Sequence, residues 1–151
     1  MLVDLLLGLI ALLVVGVVIT NLTGIATTRV VLTGSMLPGI APGDVIVTVP
    51  VSRRSPEVGD VITYTAQRFD GSEVAPLTHR IIGIDSEGRF ITKGDAAADP
   101  DVQHPTLTDV TGVLVAVVPR VGVLLQPLVL LGILVVILAV WLVVDWGRRR
   151  P

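Results

Sequence analysis

Two long apolar runs bracket this chain, and they constrain its fold more than anything between them. The first reads LLLGLIALLVVGVVIT, Leu5 to Thr20, prefaced by Leu2, Val3 and a lone Asp4. The second reads VGVLLQPLVLLGILVVILAVWLVV, Val121 to Val144. A helix needs about 20 mostly apolar residues to cross the hydrocarbon core of a bilayer. The second run meets that length. The first does so if Asp4 sits among the headgroups and the helix continues a little past Thr20. The second run is too long and too apolar all round for a buried core helix. Gln126-Pro127 predicts a kink, or a span that begins just after it.

With 52% hydrophobic and 16% charged among 151 residues, the chain falls in the membrane class. The first run lacks the basic leading region of a cleaved signal peptide, and Gly24-Ile25-Ala26 is only a weak cleavage site, so an uncleaved anchor is the reading. WLVVDWGRRRP puts Trp141 and Trp146 near an interface and Arg148, Arg149 and Arg150 just beyond it. Arginines gather on the cytoplasmic side and tryptophans at headgroup level. The expected layout is an anchor over 1–20, an extracytoplasmic domain over 21–120, a second transmembrane helix over 121–147 and a basic cytoplasmic tail over 148–151. That makes a multi-pass protein of the cell membrane, with the bilayer as one partner. Net charge is -2, and nothing suggests a nucleic-acid partner. The absence of cysteine excludes disulfides, thiol catalysis and cysteine-ligated metal.

Between the anchors the apolar stretches are short and β-branched. DVIVTV (Asp44 to Val49), DVITYT (Asp60 to Thr65), HRIIGI (His79 to Ile84), RFIT (Arg89 to Thr92) and VTGVLVAVV (Val110 to Val118) read as strands. Breakers separate them at Pro42-Gly43, Pro56, Gly59, Asp70-Gly71, Ser86-Glu87-Gly88 and Pro100. GIDSEGRFIT predicts a hairpin with a short turn. Thr65 to Thr78 and Asp95 to Thr108 read as long loops. The expected fold class is mainly β: a small, partly open, barrel-like domain between two transmembrane helices.

The residue types allow one kind of chemistry. A serine hydroxyl is a weak nucleophile until a base stands within hydrogen-bond reach and is itself oriented. Ser35 follows an apolar strand on a glycine-flanked turn, VVLTGSMLPG, which can present a hydroxyl and aim backbone N–H groups at an oxyanion. His79 opens a strand, and Asp95, Asp99 and Asp101 lie on a loop beyond the next hairpin. Each also has a plainer reading: a turn serine, a solvated histidine and a solvated acidic loop. His79 and His104 are too far apart in sequence to suggest a metal site, and no cofactor is implied.

Several stretches together resemble type I signal peptidases. TGSMLPGIAPGDVIV is similar to the family's Ser-Gly-Ser-Met-x-Pro-Thr box and the Gly-Asp-x-Val element after it. GDVITY (Gly59 to Tyr64) resembles the next Gly-Asp strand. THRIIGI resembles the Lys-Arg-Val-Ile-Gly box, with histidine in the lysine slot, and ITKGDAAADPD resembles the closing Lys-Gly-Asp-x-Asn box. All occur in the family's order. Histidine in that slot is the mark of the endoplasmic-reticulum, archaeal and sporulation-type branch. The resemblance implies Ser35 as nucleophile, His79 as general base, Asp101 as the carboxylate orienting the histidine, Asp95 as support, and Asp99 as a third choice. It implies an oxyanion hole from the Ser35 backbone N–H, with Thr33 as a second donor, and it gives Lys93 no role as base. The chain departs from the pattern at Gly39, where threonine is usual, and at Ala97, where asparagine is usual.

The implied activity is cleavage of preproteins after small residues through an acyl-enzyme. The implied partners are signal-peptide-bearing preproteins and the secretion translocon. Val31, Leu32 and the strand Val45 to Val49 are the expected pocket walls, with Met36 and Leu37 either in the core or against lipid. Two alternatives stand beside this reading. One is a non-catalytic anchored β-domain that binds or assists exported proteins. The other is a self-cleaving repressor-like peptidase, which predicts a DNA-binding segment and a Ser-Lys dyad; neither is apparent.

Overall fold

The computed structural model describes residues 2–66, 76–122, 135–141 and 146. The chain begins with helix α1 (Leu2–Leu22). Most of its described leucine, valine and isoleucine side chains are exposed, Leu5 by 72% and Leu12 by 69%. Little among the described residues covers them, and within the helix Asp4–Leu22 is long and apolar enough to cross a membrane. The helix passes Thr20, as its length requires, and ends where Gly24 takes a left-handed φ of 67°. Thr20 and Thr23 hydroxyls bond back to the carbonyls of Gly16 and Ile19. Asn21 then fastens helix to sheet: its amide donates to Thr28 Oγ1 at 3.0 Å, and its carbonyl accepts from Thr28 N at 3.0 Å.

Six strands follow: β1 (Thr27–Val30), β2 (Val45–Val49), β3 (Val61–Tyr64), β4 (Leu77–Ile84), β5 (Phe90–Lys93) and β6 (Val110–Val118). They form one antiparallel sheet in the order β1-β2-β6-β3-β4-β5. The five sequence-predicted strands and the Ile84–Phe90 hairpin are present. The apolar strand expected just before Ser35 is present as β1, but it lies earlier in the chain and ends at Val30. The valines at 30 and 31 suggest a strand at the end of Thr27–Leu32, whereas the ladder starts on Thr27 and Thr28. The mainly β fold expected is present, but the sheet is open rather than barrel-like. β5's outer side is already paired with loop backbone, Asp101 N to Thr92 O and Phe90 N to Pro105 O, so it has no free edge to offer β1.

β3 lies inside the sheet and is buried along its whole length. Because successive side chains point to opposite faces, Ile62 and Tyr64 join one core with Ile81, Phe90 and Val113. Val61 joins another with Met36, Ile40 and Ile46. A sheet apolar on both faces needs cover on both, and the turn after β1 supplies it on the second face. Asp44 ties the ends of that region together. Its carboxylate accepts from Ala41 N at 2.8 Å and Arg120 N at 2.9 Å, and these backbone donors hold its pKa below the usual value. Of the predicted second span, residues 135–141 and 146 are helical, Val121 and Gly122 are not part of an α-helix, and the rest lies outside the described residues. Most of the predicted loop Thr65 to Thr78 lies outside them too, but its last two residues belong to β4.

Candidate functional site

Ser35 reaches the site because its neighbour is buried. After β1 the chain turns over residues 33–40, closed by Leu37 N to Gly34 O at 3.1 Å and Ile40 N to Met36 O at 2.9 Å. Met36 and Ile40 are 2% and 4% exposed, so the turn is pinned into the core from below. Met36 therefore packs in the protein, while Leu37 is partly exposed. Ser35 stays at the surface, its hydroxyl oxygen 3.3 Å from Thr33 Oγ1.

His79 does not open its strand. β4 begins at Leu77, and His79 sits within it, opposite Ile62. A ring on an interior strand position is fixed by its neighbours, and only 12% of this side chain is exposed. Its Nδ1 lies 2.7 Å from Asp101 Oδ2. Asp101 arrives by a different route, on the loop whose backbone pairs with β5. The same carboxylate oxygen accepts from Thr92 Oγ1 at 2.7 Å and from Tyr64 Oη at 3.0 Å. Burial pushes the Asp101 carboxyl up, but the Thr92 and His79 hydrogen bonds outweigh it and hold its pKa below the ordinary value. An ionised carboxylate can only accept, so an Nδ1–H on His79 satisfies the pair and leaves Nε2 with a free lone pair.

Gly94 is the point where the two arms meet. A Cβ built on it would stand 3.3 Å from His79 Nε2, 3.3 Å from Ser35 Cβ and 2.7 Å from the Ser35 carbonyl oxygen. The loop beyond it also grips the serine: Ala96 N donates to Ser35 O at 2.9 Å. Only glycine lets β5's exit pass this close.

Asp95 faces another partner. Arg80 Nε and Nη2 donate to its two oxygens at 2.8 and 2.7 Å, a bidentate fork, while Arg80 Nη1 bonds Gly59 O at 2.9 Å. The Arg80 hydrogen bond holds the Asp95 carboxyl below its usual range, and Asp95 raises Arg80 in turn. Asp95 Oδ2 lies 3.8 Å from where a Gly39 Cβ would stand, so the departure from threonine at Gly39 falls against this pair. Asp99 is exposed on the same loop. Lys93 Nζ donates to Ala98 O at 3.1 Å. His104 pairs with Asp85 Oδ2 at 2.9 Å beside the β4–β5 turn, as part of that hairpin's own bonding.

A cavity of about 350 Å³ opens beside these groups. Ser35 and His79 line it together with Val31, Leu32, Ile46 and Leu77. Val31 and Leu32 were expected there; of the strand Val45 to Val49, Ile46 takes part. The sequence reading missed Tyr64, Thr92, Arg80 and Gly94. Tyr64 and Thr92 look like ordinary strand residues in sequence, and their alternation with Ile62 and Phe90 on the inward faces was the only available signal.

Thus a hydroxyl and an imidazole line one pocket, and a carboxylate from a third segment stands behind the imidazole. That constellation can deliver a nucleophile to a carbonyl and move its proton. No known protein family's sequence profile matches the chain, and no characterised protein matches it in sequence.

Proposed function

We propose that the chain is a membrane-anchored serine endopeptidase of the signal peptidase type, acting on the extracytoplasmic side. The observation that carries this reading is the approach of His79 Nε2 and Ser35 Cβ to the same point at Gly94, 3.3 Å from each, with Asp101 behind the imidazole. In the proposed reaction Ser35 Oγ attacks the scissile carbonyl while His79 Nε2 takes its proton. Asp101 stabilises the imidazolium and fixes the tautomer. The imidazolium then protonates the leaving amine, and a water deprotonated by His79 releases the acyl group. Thr33 Oγ1, 3.3 Å from the nucleophile, is the side-chain candidate for steadying the oxyanion.

The cavity supports a substrate with small side chains near the cut. Its walls are mainly apolar, and an extended peptide there can bond to the backbone beside β1. α1 supports a membrane setting, where a preprotein's own apolar helix is held in the same two dimensions. The sequence boxes from Thr33 to Asp101 supply the substrate class. Incubating the full chain in detergent with a preprotein bearing a small-x-small cleavage site tests the reading. Cleavage is expected at that site, and Ser35→Ala is expected to abolish it; unchanged processing by Ser35→Ala overturns the proposal.

A further inference from the structure

Three donors converge on one oxygen of Asp101. His79 Nδ1 lies at 2.7 Å, Thr92 Oγ1 at 2.7 Å and Tyr64 Oη at 3.0 Å, all to Oδ2. Two of these donors are anchored far from solvent: Tyr64 and Thr92 are both 0% exposed. They also touch each other, with Thr92 Oγ1 3.2 Å from Tyr64 Oη. A buried hydroxyl without a partner is costly. Each therefore needs the carboxylate as much as the carboxylate needs them.

On the peptidase reading, we infer that Tyr64 and Thr92 are positioning residues, which fix the Asp101 carboxylate so that it orients His79. Asp101 sits on a loop, and a loop carboxylate can rotate about two side-chain torsions. β3 lies inside the sheet, and β5 at its edge is bonded to β4 on one side and to loop backbone on the other, so neither can follow it. Hydroxyls from two strands therefore aim Oδ2 at the imidazole of a third. The Asp101 backbone is held the same way, its N–H donating to Thr92 O at 2.8 Å. Thr92 thus grips both the main chain and the side chain of one residue.

The arrangement also sets how much charge the imidazole meets. Two neutral donors draw on the same oxygen, so they share the carboxylate charge that would otherwise face the His79 ring alone. Tyr64 is suited to this, because burial pushes its phenol up to about 12 and it remains a donor at any working pH. Removing either hydroxyl leaves more charge facing the imidazolium and favours the protonated ring. The acid limb of the rate profile should then move to higher pH.

The test uses Tyr64→Phe, Thr92→Val and Thr92→Ser in the full chain, assayed on a preprotein from acid to alkaline pH with Ser35→Ala as reference. Expected for Tyr64→Phe and Thr92→Val are a kcat lower by about tenfold, an unchanged KM and an acid limb displaced upward. Thr92→Ser restores both kcat and the limb because the hydroxyl returns. An unmoved acid limb in Tyr64→Phe and Thr92→Val, with kcat at the parent level, overturns the inference. So does equal loss in Thr92→Val and Thr92→Ser, which would mark a packing role. If Tyr64→Phe does not fold, the two Thr92 variants decide. Failure of the peptidase reading looks different: Ser35→Ala then cleaves as well as the parent.

Discussion

The Ser35 carbonyl oxygen stands 2.7 Å from the place where Gly94 would carry a side chain. Real Cβ atoms do not come so close to backbone oxygen, and the neighbouring bond from Ala96 N to the same oxygen leaves the loop little room to retreat. Gly94→Ala must therefore push the serine turn away from His79. We expect a loss of cleavage of at least a hundredfold, with destabilisation of about 1–3 kcal/mol. A peptide-cleavage assay and a thermal melt on one preparation check both. Parent-level cleavage by Gly94→Ala would contradict the close approach.

Three aspartates on one loop should behave differently. Asp101→Asn, which keeps shape but presents a donor to His79 Nδ1, should lower kcat by about 10³–10⁴-fold. Asp95→Asn should cost less, because it acts on Arg80. Asp99→Asn should change neither activity nor melting temperature measurably, since exposed substitutions of this kind fall within about 0.5 kcal/mol. Kinetics on the three variants in parallel rank them.

The Arg80–Asp95 fork is half open to water, with side-chain exposures of 38% and 21%. Solvent screening limits what it contributes, so breaking it should lower stability by about 1 kcal/mol. The same lesion loosens the seating of Gly39 and the serine turn. A double-mutant cycle of Arg80→Ala and Asp95→Ala, read by thermal melting, measures the coupling; additive losses would mean the two do not act as a pair.

Acid should unfold the domain by a defined route. Asp44, Asp85, Asp95 and Asp101 are all held below the ordinary carboxylate pKa in the folded protein. A depressed folded pKa means the stabilisation is complete above the unfolded value, about 3.9, and is lost as pH falls through the folded one. Melting temperature should therefore stay level on acidification to about pH 4 and fall steeply below it. A melting temperature that stays level from about pH 6 to about pH 2 would exclude this route.

Arg120 has a left-handed φ of 60°, at the position where its N–H meets Asp44. Residues with a Cβ adopt that conformation at a cost, and glycine does not. Arg120→Gly keeps the N–H and should raise stability by about 0.5–1 kcal/mol. Chemical denaturation of parent and variant compares them directly.

Strand identity was legible because β-branched alternation between glycine and proline breakers has few other interpretations. The strand before Ser35 was expected on its apolar residues, whereas β1 takes in Thr27, Thr28 and Arg29 and leaves Val31 and Leu32 beyond its end, because polar residues beside a long apolar run give no contrast to read. The partly open, barrel-like expectation holds as far as an open antiparallel sheet; what keeps it open was not legible, because the loop that occupies β5's outer edge has no strand pattern of its own. Within the site, Ser35 and His79 stood out because their types are chemically informative. Tyr64 and Thr92 did not. Their contribution depends on which face of the sheet they share, and on a carboxylate that arrives from a segment far along the chain.

Asn21 joins the last turn of α1 to Thr28 through two bonds of 3.0 Å. Those two bonds oppose independent swinging of helix and sheet. Where α1 spans a bilayer, as proposed above, its inclination adapts to the thickness of the hydrocarbon layer. The sheet is then drawn to lean with it, and the height of Ser35 above the surface follows bilayer thickness.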